Sequence, residues 1–544
     1  MSPSPPAGPA PALLTRRAAI TLGGAGIAMA GAFHLPGAAR AAESDGDALT
    51  YSWPSNVGPL NPHLYNPNQM FAQSMLYEPL VRYGEGGRIE PWLAERWTLS
   101  DDGRVYSFHL RDGVRFTDGT AFDAAAVKAN VDAVLKNRDR HSWLEIVAQI
   151  EAAEAADPAT FRLHLRRPYY PALYELSLIR PLRFLSPQAM PADGDTSKGI
   201  AAPVGTGPWT LVETALGERD VFARNDDYWG PKPALSRITV LVIPDPTTRG
   251  LALETGDIDL AYGSDQLSPQ DIRRLQADPR FTVAISPPMS SRLLAMNTAQ
   301  GPTADLAVRQ AVLHGVNRGS IVRNVLLDLE APAETLFAAN LPYTDLGLAP
   351  YAFDRDAAAG LLDQAGWAAG PDGIRQRDGQ DLAIDYYFPG ADALQKAIAE
   401  AVQADLRPVG IAIRLHGEES NSVGSRQRSG DFGMITSDSW GAPYDPHSFM
   451  SSMRVPSHAD YQAQRGLAMK AEIDARIGQV LVSTDEEARR AEYRWLLTTL
   501  HEQAVYLPIS YTTVTTVHPT AVTVDRFGFT ENEIPFERIT RAPG

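Results

Sequence analysis

LAIDYYFPGADALQKAIAEAVQADLRPVGIAIRL, residues 382–415, decides the fold class. Residues 382–388 and 411–415 are short apolar runs of strand length, and between them Leu394, Ile398, Val402 and Leu406 recur at the spacing of one helix face. A strand, helix, strand unit with a crossover of that length pairs its two strands in parallel, because only a tight turn returns a chain antiparallel. The fold class is therefore α/β. Working outward, residues 292–296, 238–243 and 432–435 read as further buried strands, and 160–165 alternates like a half-buried one. Phe108, Leu110, Val114 and Phe116 alternate too, and Asp123 is placed to cap a helix with Val127, Val131, Val134 and Leu135 on its apolar face. A loop should give way to a helix near Gln69, and residues 244–249 lead to a helix ending before Gly256. Thr484 and Glu487 form a capping-box pattern ahead of a helix carrying Trp495, Leu496 and Leu500.

A chain of 544 residues is too long for one core and implies two or three domains or lobes. Its 44% hydrophobic and 21% charged composition is that of an ordinary globular protein. A formal charge of −16 argues against nucleic acid as partner, because phosphate binding needs a basic face. With 0 cysteines, disulfides, thiolate metal sites and cysteine catalysis are excluded. No Gly-x-Ser-x-Gly motif or zinc motif is present, so the sequence is read as that of a non-enzyme.

Residues 1–41 contain no acid, carry Thr15-Arg16-Arg17, continue into a Gly- and Ala-rich run over 18–33, and end at Ala39-Arg40-Ala41. That is the pattern of a twin-arginine-type signal peptide cut after Ala41, with general secretion as the alternative route. The run is too short and glycine-rich to span a membrane, and no other segment approaches a membrane-spanning length.

The densest group of chemistry-bearing residues is WGAPYDPHSFMSSMRVPSHAD, residues 440–460. Gly441, Pro443 and Pro446 predict a loop hung from the end of the 432–435 strand, a position where function commonly resides. Trp440, Tyr444, His447 and His458 fit neither a helical nor a strand stripe, although each taken alone could be an ordinary packed side chain. His447, in a turn after Pro446, reads as structural. Arg138, Arg140 and Trp143 form a basic and aromatic knot at a helix end, where a cation such as Arg138 also suits the helix dipole. Arg180, between apolar residues and Pro181, must find an acceptor, either an internal carboxylate or a ligand. Gly205-Thr206-Gly207 lacks the lysine of a phosphate loop. Asp257 and Asp259 are expected to face solvent rather than to hold calcium.

Tyr77-Glu78-Pro79-Leu80, Pro91-Trp92-Leu93-Ala94, Leu110-Arg111-Asp112-Gly113-Val114, Gly205-Thr206-Gly207-Pro208-Trp209, Glu254-Thr255-Gly256-Asp257-Ile258-Asp259 and Met296-Asn297-Thr298 together resemble the extracytoplasmic solute-binding proteins of ABC importers, family 5, which carry peptides, opines and nickel. Residues 57–70, 140–145, 244–249 and 440–460 are most similar to its nickel-binding subfamily. The resemblance implies the two-lobed periplasmic-binding-protein fold of the large class (class II, cluster C), with lobes joined by hinge strands. It implies lobe I over 44–290 with an inserted subdomain at about 76–215, lobe II over 291–511, and a C-terminal segment 512–544 returning to lobe I. It also implies nickel(II) carried as a small-molecule chelate, with free histidine as the chelator in the subfamily, and delivered in the periplasm to an ABC permease with its ATPase subunits by a monomeric carrier.

By the same resemblance His458 would complete the metal coordination and Arg140 and Arg180 would bind chelator carboxylates. Tyr65, Met70, Trp143, Trp440 and Tyr444 would line the pocket. The chemistry agrees. A dedicated nickel cage needs several imidazole-type donors, and no His-x-x-x-His or comparable cluster occurs, so a chelator must supply most of them. Guanidinium then suits carboxylate through its two-pronged geometry. Asp438, just before Trp440, departs from the nickel subfamily pattern and places an acid near the pocket. Carriage of peptides, opines or another metal chelate is the alternative.

Overall fold

The computed structural model describes residues 47–65 and 69–542, so the signal-peptide reading of residues 1–41 lies outside the described residues. Within them the strand Ala383–Pro389 pairs in parallel with Ala412–Glu418, and the helix Ala393–Leu406 connects the two as expected from the spacing. These strands sit at one edge of a six-stranded sheet. Met434–Thr436, Ser290–Met296, Tyr506–Thr512 and Ala331–Pro332 complete it in that order. Ser290–Met296 and Tyr506–Thr512 run antiparallel although more than two hundred residues separate them. Ile384, Tyr386, Ile398, Val402, Leu406 and Ile413 make the core beneath the crossover helix.

A second sheet joins Ala48–Trp53, Arg237–Val242, Arg219–Arg224 and Trp209–Ala215, with only its first pair parallel. Its core of Leu49, Tyr51, Phe71, Trp209 and Ile238 also contains Val514, Ile534 and Phe536, so the end of the chain packs against the beginning. Thr515–Pro519 lies between Ala261–Gly263 and Phe281–Ile285 in a three-stranded sheet. Between these elements in sequence, Ala94–Leu99, Val105–Leu110, Thr160–Leu165 and Ile150–Asp157 form an antiparallel sheet. The helix Ala124–Lys136 covers it, with Asp123 accepting from the Ala126 amide at 2.8 Å as its N-cap.

Three local expectations are corrected. The helix Glu486–Glu502 is capped not by Thr484 but by Asp485, whose carboxylate accepts from Glu487 and Ala488 at 2.9 and 3.2 Å. A carboxylate one residue later captures two amides and complements the dipole as well. Residues 440–460 are not all loop, because Pro446 sits directly before the helix His447–Ser452, where a missing N–H costs nothing. Asp259 is a structural tie rather than a solvent group: it accepts from the Thr50 amide at 2.8 Å and pairs with Arg541 at 2.9 Å. Gly205 and Gly207 lie against the backbone of Met75 and Leu76, so this turn is a close approach of two chain segments.

Candidate functional site

Beyond the strand Met434–Thr436 the chain folds onto its own carboxylate. Asp445 accepts from the amides of Trp440 at 3.2 Å and Gly441 at 2.9 Å, and Gly441 takes a φ of +73° that favours glycine. Burial pushes the Asp445 carboxyl up to about 7. The peptide bonds before Pro443 and Pro446 are cis. This turn brings Trp440 and Tyr444 together with ring centroids 6.1 Å apart. Trp440 also meets Phe449 and His458, each at 5.9 Å.

The opposite wall comes from the 3-10 turn Arg138–His141 and the residues after it. Arg138 is consumed by structure: its guanidinium donates to the carbonyls of Val147 at 2.7 Å and Ile150 at 2.9 Å. Arg140, two residues on, is exposed. Burial, together with the Arg140 charge, pushes the His141 imidazole down to about 4, and His141 Nδ1 is hydrogen-bonded to the Tyr65 hydroxyl. Tyr65 meets Trp143 at 5.7 Å, and Trp143 reaches across to Tyr444 at 6.2 Å and Trp440 at 6.5 Å. Trp143 keeps 36% of its surface open, large for an indole held between three rings. Four of the expected site residues, Tyr65, Trp143, Trp440 and Tyr444, therefore form one continuous aromatic box with His458 at its end. Met70, the first residue of the helix Met70–Leu76, borders Tyr444 across a narrow crevice rather than the box itself.

Arg180 precedes a cis proline, donates to the Tyr65 carbonyl, and holds its guanidinium carbon 5.2 Å from the Tyr65 ring centre. The acceptor required by its apolar surroundings is thus a backbone carbonyl and not a carboxylate. Burial lowers its pKa, and the nearby phenols of Tyr444 and Tyr65 offset part of that. Among the described residues neither Arg140 nor Arg180 has a carboxylate partner. The imidazole of His458 likewise has no hydrogen-bond partner among them. Burial lowers its pKa, so at neutral pH the ring is neutral and a nitrogen lone pair is available. Two unpaired cations and one unpaired donor around an aromatic box can receive a ligand that carries carboxylates and a metal.

His447 is elsewhere. It is 3% exposed, packs 5.4 Å from Tyr174, and burial pushes it down to about 3, as fits a core residue. Asp438 does approach the site. Its carboxylate accepts from the Leu293 amide at 3.0 Å and opens on a cavity of about 370 Å³ that also touches Trp440 and His458. The residue is exposed on that cavity, yet the protein mass around it desolvates the carboxyl and raises its pKa, with the Arg292 charge offsetting part of the rise. Sequence reasoning missed Asp445, which shapes the turn, and Glu175, which accepts from Tyr169 at 2.7 Å, Ile146 at 2.8 Å and Ser448 at 3.0 Å and ties the two walls. An acid next to Pro446, three residues after another proline, was the one available signal for the first; the second sits in a helix with no local mark.

Residues 88–461 match the family described as Bacterial extracellular solute-binding proteins, family 5 Middle. The chain is 51% identical over 496 residues to the nickel-binding periplasmic protein of Escherichia coli strain K12, covering 91% of this chain and 94% of that one. It is 26% identical over 481 residues to di/tripeptide-binding protein 2 of Pseudomonas aeruginosa, covering 83% and 87%. Among solved structures, the NikA protein of Brucella suis in complex with Fe(III)-EDTA superposes with a TM-score of 0.89 at 57% identity, covering 91% of this chain and 99% of that one.

Proposed function

This chain belongs to the bacterial extracellular solute-binding proteins of family 5, whose fold is two-lobed, and from that premise we propose that it captures nickel(II) as a chelate and hands it to an ABC importer. The observation that carries the reading is the meeting of Arg140, Arg180 and His458, all without polar side-chain partners among the described residues, around the box of Tyr65, Trp143, Trp440 and Tyr444. The arginines take chelator carboxylates, since a guanidinium in a partly dry site forms charge-assisted bonds about twice as strong as neutral ones. The neutral imidazole of His458 completes the coordination of a metal whose other donors the chelator supplies. The aromatic walls exclude water and strengthen both contacts. Free histidine is the chelator we favour.

Nickel is cargo here, and no reaction is assigned to the site. Export follows the twin-arginine-type segment cut after Ala41, and the carrier works as a periplasmic monomer with an inner-membrane permease and its ATPase subunits. Among the described residues no helix is long and apolar enough to cross a membrane. We assign lobe I to 44–290, with the inserted sheet of about 76–215, and lobe II to 291–511. The return of 512–544 to lobe I is supported by the shared core of Tyr51, Val514 and Phe536. Ligand held between lobes stabilises the closed arrangement by its differential affinity, and the permease reads that closure.

Isothermal titration with nickel alone, L-histidine alone and the two together tests this. Binding is expected only with the mixture, and His458→Ala should weaken it at least about tenfold, a loss on the order of 1.4 kcal/mol. Unchanged affinity in His458→Ala, or a dipeptide binding in place of the nickel mixture, would overturn the assignment.

A further inference from the structure

The turn that carries Trp440 and Tyr444 is fastened by a single carboxylate. Asp445 is 2% exposed, and each of its oxygens receives a different amide, Trp440 at 3.2 Å and Gly441 at 2.9 Å. The Gly441 carbonyl in return accepts from the amides of Tyr444 at 2.8 Å and Asp445 at 3.0 Å, so the backbone leading from one ring to the other is tied at both ends. The Ser439 hydroxyl is a third partner of the carboxylate, and the same hydroxyl oxygen accepts from the Ser291 amide at 2.9 Å. Ser291 belongs to the strand Ser290–Met296, at the boundary assigned above between the lobes. Asp445 therefore links the aromatic box to that strand. The titratable groups facing it from the elements packed around it are Glu531 of the C-terminal segment and the Tyr83 phenol of the strand Val81–Tyr83, and neither supplies a positive charge. Glu531 is itself held at the same boundary, accepting from Ser290 at 2.6 Å and Thr512 at 3.1 Å.

An ionised carboxylate is acceptor-only and can serve all three donors, whereas a proton on either oxygen turns an occupied acceptor into a donor and leaves a buried amide without its partner. We propose that Asp445 is a positioning residue: ionised, it sets Trp440 and Tyr444 in the arrangement that receives the chelate, and on taking up a proton it slackens the turn, so that the carrier loosens its grip on the cargo in mild acid. This rests on the chelate reading of the same site and adds its regulation. Burial first, and the Glu531 charge after it, push the carboxyl up to about 7. Binding favours the ionised form, so affinity is complete above that value and falls as pH drops through it.

The test is a pH series. Nickel with L-histidine is titrated into the wild type, Asp445→Asn and Ser439→Ala between about pH 8 and about pH 6. Titration of the chelate and of His458 is common to all three proteins and cancels in the ratio of affinities. Asparagine keeps an oxygen acceptor without the charge, so it stands in for the protonated side chain. Asp445→Asn should bind about tenfold more weakly than the wild type at the upper end, and the two should converge to within about twofold at the lower end. Ser439→Ala removes a donor that favours the ionised carboxylate, so it should lose affinity at a higher pH than the wild type does. A constant ratio between wild type and Asp445→Asn, as a merely structural role would give, or equal affinity at the upper end, would overturn the proposal while leaving the chelate reading intact. Failure of the wild type to bind nickel with histidine at any pH would instead remove the chelate reading and this inference with it. If Asp445→Asn does not fold by circular dichroism, the direction of the Ser439→Ala shift decides.

Discussion

Replacing Arg180 by methionine keeps the apolar stem against Tyr65 and removes only the charged fork. The guanidinium is half-buried and lacks a carboxylate among the described residues, so the site holds a cation whose desolvation is not repaid internally. If it clamps a chelator carboxylate, its loss removes a hydrogen bond to a charged group, about 1.5–3 kcal/mol, or roughly ten- to hundredfold in affinity. The free protein should change little. It loses the bond to the Tyr65 carbonyl, about 1 kcal/mol, and a stacking contact of about 0.5–1 kcal/mol, and it no longer buries an unpaired charge. Arg180→Lys should recover part of the affinity through charge while losing the two-pronged geometry. Titration with nickel and histidine at low and high salt, alongside urea unfolding of the free proteins, separates the cases. Full affinity in Arg180→Met would refute the clamp. A loss of affinity matched by an equal loss of stability would show that Arg180 merely supports the Tyr65 loop.

Burial pushes the Glu175 carboxyl up to about 7, so between its unfolded value near 4.5 and 7 the native state holds a proton that the unfolded chain has released. Its contribution to stability is complete below 4.5 and declines as pH rises through about 7. Relative to wild type, Glu175→Gln should therefore gain on the order of 3 kcal/mol across that window, read by urea unfolding at its two ends; a constant difference would count against the shift. His458 has the opposite sign for binding. Its lowered pKa keeps the lone pair free below pH 6.5, so the advantage of wild type over His458→Ala in chelate titrations should persist into mild acid and vanish only as pH falls through that lowered value. Gly205→Ala would drive a methyl group into the Leu76 carbonyl, which should cost more than about 3 kcal/mol or prevent accumulation of folded protein, as seen by circular dichroism and expression. Trp143→Ala, at an indole 36% exposed, should leave the melting temperature nearly unchanged yet weaken chelate binding several-fold in the same titration.

Some of this architecture is encoded locally. The parallel pair Ala383–Pro389 and Ala412–Glu418, the helix between them and the Asp123 cap are visible because apolar period and capping chemistry act over a few residues. Even there the range of the signal is short. Thr484 and Asp485 are both plausible caps by type, and only backbone geometry selects the carboxylate. Arg138 and Arg140 differ in the same way: identical in chemistry and two positions apart, one is used up by the carbonyls of Val147 and Ile150 and the other has no side-chain partner among the described residues.

The sequence by itself determined the α/β class, most element positions, the absence of thiol chemistry and, through resemblance, which residues to examine as a candidate site. Tertiary structure alone decided that Ser290–Met296 and Tyr506–Thr512 become neighbours, that Tyr65, Trp143, Trp440 and Tyr444 close into one box, and that Met70 stands beside it. The reason is physical. Hydrogen-bond period and side-chain shape are properties of a short segment, whereas which charges end unpaired and which acceptors line a cavity depend on groups that only the packed chain brings together.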